Sequence, residues 1–166
     1  MNVRLIFCAI LVLTCCAAAR GTAMVPTTVA VFAFDNNSIE SKEKLEPLRK
    51  AIADMMVTRL SKAKSLKIVE RQRIQALIEE LHLNETDMVD QAAALRIGRL
   101  VGARILVFGG YTSITEDDFR IDVRVIETET GETLAAEEET GSVTELLPMV
   151  KTLAQKITSA LEGTNQ

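Results

Sequence analysis

The sequence predicts a single α/β domain (α+β) built on one mixed β-sheet with an antiparallel carboxyl-terminal meander and helices packed on it. Three observations lead there. Thr28 to Phe34 is a continuous apolar, β-branched run of the kind a strand covered on both faces requires. Apolar residues spaced by three and four follow it in several separate stretches. Near the carboxyl end, strict alternation over Phe119 to Val125 is followed by a turn and a second strand-like run. The expected order is β-α-β-α-α-β-β-β-α.

After the first strand, Asp35-Asn36-Asn37-Ser38 reads as a break, because these side chains make their own turns. Leu45, Leu48, Ile52, Met55, Met56 and Leu60 then mark one long helix with Pro47 in its first turn. Leu66 to Val69 is a short strand, and Ile74, Leu77, Ile78 and Leu81 mark the next helix. A polar break at 84–87 precedes a third helix, with Asp90 as its expected cap and Gly102 as its stop. Ala103 to Ile114 is a strand in which Gly109-Gly110 implies a bulge or a place where another backbone comes close. Phe119 to Val125 has one wet face, carrying Arg120, Asp122 and Arg124. Glu129-Thr130-Gly131-Glu132 turns it into a returning strand over Thr133 to Thr140. Thr144 is the expected cap of the last helix, whose stripe is Leu146, Val150, Leu153, Ile157 and Leu161, with a frayed tail from Gly163.

Residues 1–23 read as an export signal. Arg4 supplies the positive end, and Leu5 to Leu13 is an unbroken apolar run too short to span a bilayer. Cleavage after Gly21-Thr22-Ala23 would leave Met24 first, and Ala17-Ala18-Ala19 offers a second position. Leu13-Thr14-Cys15-Cys16 also fits a bacterial lipoprotein signal with Cys16 as the lipidated residue, although Cys15 stands where Gly, Ala or Ser is usual. An uncleaved anchor is the remaining alternative.

Cys8, Cys15 and Cys16 are all the cysteines, so residues 24–166 hold no thiol for a disulfide, a metal or a nucleophile. Loss of residues 1–23 removes Arg4 and Arg20 and leaves 17 basic against 23 acidic residues, a net charge of −6. That balance gives no overall pull on nucleic acid or anionic lipid. His82 is the only histidine and lies at a helix end beside Glu79 and Glu80, which reads as a solvated position. Glu116-Asp117-Asp118 reads as a solvated connection, with calcium binding the rival, and Glu137-Glu138-Glu139 as a charged strand end that discourages edge pairing. Gly98 and Gly102 read as packing and capping glycines. No cofactor, no metal and no catalysis are expected. Two groups are candidates for binding: Asp35, Asn36 and Asn37, after the carboxyl end of the first strand where open α/β sheets place ligands, and Glu70, Arg71 and Arg73, which pair locally or form a subunit contact.

Several segments in order resemble the CsgG family, the envelope lipoproteins typified by the curli secretion channel, and the related flagellar and penicillin-binding-protein-activator lipoproteins. They are Val29 to Phe34, Ile68-Val69-Glu70-Arg71 leading into Ile74 to Leu81, Leu100 to Gly109, and Ile121 to Ile126 before Glu129-Thr130-Gly131-Glu132. The resemblance implies a periplasmic domain at the outer membrane that assembles with envelope proteins or with other copies of itself, without catalysis. It departs from the channel members, whose two additional hairpins build a membrane barrel: the stretch from Tyr111 to Phe119 and the step from Gly141 to Glu145 are too short for membrane strands of about 9–11 residues. An accessory or interaction domain is therefore expected, with a small-ligand module or a channel subunit lacking its own hairpins as alternatives. Any hold on a membrane is expected from a lipid on Cys16 or from a partner.

Overall fold

The computed structural model describes residues 25–39, 41–83, 91–115 and 117–164. The export signal with Cys16, the break at 84–87, the expected cap Asp90, Glu116 and the last two residues of the tail lie outside the described residues.

The elements are β1 (Thr27–Val31), β2 (Asp35–Asn36), α1 (Lys42–Leu45), α2 (Leu48–Leu60), β3 (Leu66–Ile68), α3 (Arg71–Glu80), α4 (Gln91–Val101), β4 (Ile105–Thr115), β5 (Asp118–Glu127), β6 (Thr133–Gly141), a 3-10 turn (Val143–Glu145) and α5 (Leu146–Thr164). One mixed sheet runs β3-β1-β4-β5-β6, and β2 pairs with β4 beyond the end of β1. β3, β1 and β4 are parallel, whereas β4, β5 and β6 form an antiparallel meander. The predicted architecture and element order hold.

From Val29 to Val31 β1 is apolar because it is buried on both faces there. Val29 and Val31 join a core with α2 and α5, while Ala30 and Phe32 join a second core with α3 and α4. β5 alternates from Phe119 to Val125 because only one of its faces is covered there: Phe119, Ile121, Val123 and Val125 point into the first core, and on the other face burial begins only at Ile126. The second core takes no residue from β5 or β6. Arg120, Asp122 and Arg124 therefore lie on an open part of the sheet.

Several expectations need correction. The segment after β1 is an added strand: Asp35 and Asn36 pair with Gly110 and Tyr111, and the N–H groups of Asn37 and Ile39 donate to the carbonyls of Tyr111 and Ser113. Gly109-Gly110 is not a bulge, since the β4–β5 register runs unbroken through it and shifts only between Ser113 and Thr115. The close-approach reading is the right one, as both glycines give way to side chains of residues 34–37. The helix expected from Leu45 is split, with Pro47 as the N-cap of α2. Thr144 does not cap the last helix. Ser142 does so from one turn earlier, in a capping box with Glu145 that opens the 3-10 turn.

Gly102 (φ 70°) and His82 (φ 53°) end α4 and α3 in the left-handed region. In each case the following residue's N–H reaches back five residues, Ala103 to the Gly98 carbonyl and Leu83 to the Ile78 carbonyl. His82 is exposed and serves as a helix terminator. β4 reaches β5 through residues 116–117, and Ser142 alone separates β6 from the 3-10 turn.

Candidate binding groove at the end of the first strand

The groove starts from a bend in the chain. After Val31 the backbone leaves β1 at Phe32-Ala33-Phe34 and rejoins the sheet as β2. Phe32 turns to the α3 side and stacks on Phe108, with ring centroids 4.8 Å apart and planes within 9°. Phe34 turns to the other side and fills the space over Gly109.

Side-chain direction then alternates along 35–37. Asn36 points inward and is structural: its Nδ2 donates to the Lys42 carbonyl (2.7 Å) and to Glu46 Oε2 (3.0 Å), and its Oδ1 accepts from the Ser38 N–H. The bond from Asn36 is the main reason the Glu46 carboxyl is held below its ordinary pKa. Tyr111 closes this inner side, donating from its buried hydroxyl to the Leu45 carbonyl at 2.8 Å. Burial raises its pKa well above the usual phenol value.

Asp35 and Asn37 share the outward face with Gly110. Asp35 is half-buried. Burial raises its pKa, and the nearby charges of Arg49 and Arg124 oppose the rise. Arg49 is fixed by donating from Nε to the Phe34 carbonyl (3.1 Å) and from Nη1 to Glu46 (3.1 Å), which leaves Nη2 3.7 Å from Asp35.

Two concavities meet at Asp35, Phe108 and Gly109. The smaller, about 50 Å³, lies between the start of α2 and the face of α3, with Arg49, Lys50, Arg71 and Ile74 on its walls. The larger, about 170 Å³, opens over the sheet between Asn37, Gln91, Asp122 and Arg124. Together they form an aromatic floor bounded by guanidinium, carboxylate and carboxamide groups. Such a lining suits recognition by hydrogen bonds and apolar contact. Among the described residues, no three His, Cys, Asp or Glu side chains gather as a metal site requires.

The structure brings together two of the sequence candidates that lie far apart in the chain. Arg71, at the start of α3, lines the same groove as Asp35 and donates to Asp54 Oδ1 (2.6 Å) and the Lys50 carbonyl (3.0 Å). Of the other residues in that group, Glu70 is exposed at the N-cap of α3 and Arg73 is exposed one turn in, neither of them in the groove. Sequence reasoning missed Arg49, Lys50, Phe108 and Arg124. Arg49 and Lys50 had one available signal, since the first turn of a helix that follows a strand returns to that strand's carboxyl end.

Residues 16–115 match the family described as "Curli production assembly/transport component CsgG". No curated protein sequence matches the chain. Lipoprotein GNA1162 from Neisseria meningitidis is similar in structure, with 15% identity and a TM-score of 0.60 over 80% of this chain and 97% of that one. The LpoB C-terminal domain from Salmonella enterica is similar with 18% identity and a TM-score of 0.51, over 72% of this chain and 85% of that one. TolB from Acinetobacter baumannii is similar with 14% identity and a TM-score of 0.52, over 84% of this chain and 29% of that one. At these identities the likeness is one of fold. No described helix is long and apolar enough to cross a membrane.

Proposed function

The chain belongs to the CsgG family, and we propose that it works as a non-catalytic component of a bacterial cell envelope. In this reading it is exported to the periplasm and held at the outer membrane by a lipid on Cys16 or by a partner. There it supports assembly, secretion or cell-wall machinery by binding envelope proteins or further copies of itself. The observation that carries the proposal is the family match, which spans β1 to β4 and so includes the strands and helices that build most of the groove. The groove supports a binding role, since its polar groups are placed to hold a ligand segment and include no histidine or thiol.

Crosslinking in intact envelopes followed by pull-down tests this. Recovery of a protein partner or a homo-oligomer, weakened by Asp35→Ala or Arg71→Ala, is the expected result; recovery of neither counts against the proposal. The mass of the mature amino terminus decides how the domain is held, a diacylglyceryl group on Cys16 meaning a tether and a free Met24 meaning release from the membrane. The larger concavity favours one second reading, a small-ligand module. Thermal-shift screening with no stabilisation by any ligand class, or with Asp35→Ala responding like the parent, would remove it.

A further inference from the structure

The overall negative charge hides an uneven distribution. Between Asp54 and Glu70 the chain contains no acid, and Arg59, Lys62, Lys64 and Lys67 fall within nine residues. They run from the last turn of α2 into β3, with Lys62, Lys64 and Lys67 exposed. Arg59 and Lys62 also line, with Lys151 of α5, a surface groove of about 560 Å³ between the two helices, whose other walls are alanines and uncharged polar side chains. By contrast, Arg71 of α3 is paired with Asp54 of α2, and Lys156 of α5 with Glu137 and Glu139. Among the described residues no ion pair engages Arg59, Lys62, Lys64, Lys67 or Lys151.

This is also the end of the molecule where the chain enters the fold. The Thr27 N–H donates to the Ser65 carbonyl (2.9 Å), and Thr27 pairs with Leu66. Whatever precedes Val25 therefore leaves beside the basic turn. From Cys16 to Thr27 the chain can span at most roughly 40 Å, so a lipid on Cys16 would keep this end close to the bilayer. Other than Glu162, the nearby acids at this end are set apart: Glu127, Glu129 and Glu132 lie at the end of β5 and on the β5–β6 hairpin, on the far side of β4, and Arg99 and Arg104 line the surface beside Glu127 and Glu129. Glu162 reaches the basic turn and accepts a hydrogen bond from Ser65.

We propose that the surface formed by Arg59, Lys62, Lys64 and Lys67 faces the membrane and docks on anionic lipid headgroups. Its membrane setting rests on the envelope reading above, but its charge and position do not. A bilayer bearing anionic headgroups attracts clustered cations whatever the net charge of the rest of the domain, because the interaction is confined to about a Debye length.

The chain contains no tryptophan, so a single introduced one is a clean probe. Ser61→Trp places it in the basic turn with every cation kept, and Thr115→Trp places it at the opposite end of β4, where Thr115 is also exposed. The processed protein, purified from envelopes, is mixed with vesicles of phosphatidylcholine alone or with phosphatidylglycerol added. The Ser61→Trp emission should shift to the blue on the anionic vesicles alone and return when salt is raised, while the Thr115→Trp emission stays at its aqueous position. Adding Lys62→Gln, Lys64→Gln and Lys67→Gln should weaken the anionic-vesicle response roughly tenfold or more. No shift at position 61, an equal shift at position 115, or the same shift on neutral vesicles overturns the proposal. The amino-terminal mass is read on the same sample. With a lipid on Cys16 both vesicle types capture the protein and the emission reports docking; with a free Met24 capture itself also reports it. Failure of the lipid reading and failure of the docking surface are thus separate results.

Discussion

Replacing Gly109 by alanine tests the close approach on which the groove is built. A Cβ at this position would lie 2.5 Å from Cδ1 and 2.7 Å from Cζ of Phe34, and closer still to Cε1. Carbon atoms in ordinary contact sit about 3.5–4.0 Å apart, so the ring would have to move by roughly 1.5 Å or more. Phe34 has little freedom to do so. It is 0% exposed, its N–H donates to the Arg49 carbonyl at 3.1 Å, and its own carbonyl accepts from Arg49 Nε at 3.1 Å. Overpacking of a core costs about 1–3 kcal/mol, and the pinned backbone puts Gly109→Ala near the upper end. With a urea dependence of about 1–3 kcal/mol per molar, the unfolding midpoint should fall by about 1 M or more. Without the ring, alanine in a strand would stabilise relative to glycine by about 0.5–1 kcal/mol, so the sign alone is informative. Phe34→Leu makes room for the new methyl group, and the double variant should be less destabilised than the sum of the two singles by about 1–2 kcal/mol. Urea unfolding of the four proteins, followed by circular dichroism, measures the cycle. A neutral or stabilising Gly109→Ala, or an additive double variant, would refute the reasoning.

Tyr111→Phe leaves the buried Leu45 carbonyl without the hydroxyl that donates to it, and should cost about 1–3 kcal/mol in the same assay; a loss within error would show that the bond contributes nothing. Ser142→Ala removes the capping box and should cost about 0.5–2 kcal/mol, with Thr144→Ala costing clearly less, and the reverse ranking would place the helix start at Thr144. Because the folded-state pKa of Asp35 is raised above 3.8, its protonated form is favoured in the native state. The associated stability is present at acid pH and is lost as pH rises from 3.8 through the folded value. Asp35→Asn should therefore gain on the parent as pH is raised from about 3 to 7, read as the difference in urea midpoints, and a parent that gains on the variant over that range contradicts the assignment.

The elements legible in the sequence are those whose pattern is set by burial within a single segment. β1 is apolar from Val29 to Val31 because both of its faces are covered, and β5 alternates from Phe119 to Val125 because one is not. Gly102 and Gly131 stand at φ 70° and 76°, where a turn signal needs no tertiary knowledge. What was not legible depends on contacts between distant segments. Asp35 and Asn36 have the local preferences of a turn, and only β4, some 75 residues further on, turns them into a strand. Gly109-Gly110 is ambiguous in sequence between a bulge and a close approach, and the choice is made by Phe34 and Asn37 from another part of the chain. The last helix is legible from its apolar stripe but its cap is not, since a 3-10 turn moves the capping residue upstream to Ser142. In the groove, Asp35 and Arg71 stood out as polar groups at element ends. Phe108 did not, because an aromatic residue in an apolar strand carries no mark of its stacking partner.

The position of the groove follows from connectivity. β1 and β3 are parallel and joined through α2, and β3 and β4 are joined through α3 and α4, which must cross over β1. Parallel strands require crossovers of this kind and right-handed ones are strongly favoured, so two successive crossovers that step in opposite directions along the sheet place their helices on opposite faces. The antiparallel strands β5 and β6 follow β4 by short turns and need no crossover. Among the described residues the one α-helix that follows them, α5, returns to the face already covered by α2. The α3–α4 face is therefore covered over β1, β4 and the carboxyl end of β5, where Ile126 is buried, and open over the rest of β5. β4 is the boundary strand, parallel to β1 on one side and antiparallel to β5 on the other. Phe108 lies where the helix cover stops, with Arg124 paired opposite it across the ladder. At Gly109 and Gly110 the same strand gives up its side chains, and the chain leaving β1 fills that space, carrying Asp35 and Asn37 to the edge of the covered core. An aromatic floor with charged walls is the surface that such a boundary exposes, and the topology requires that boundary whatever partner occupies it.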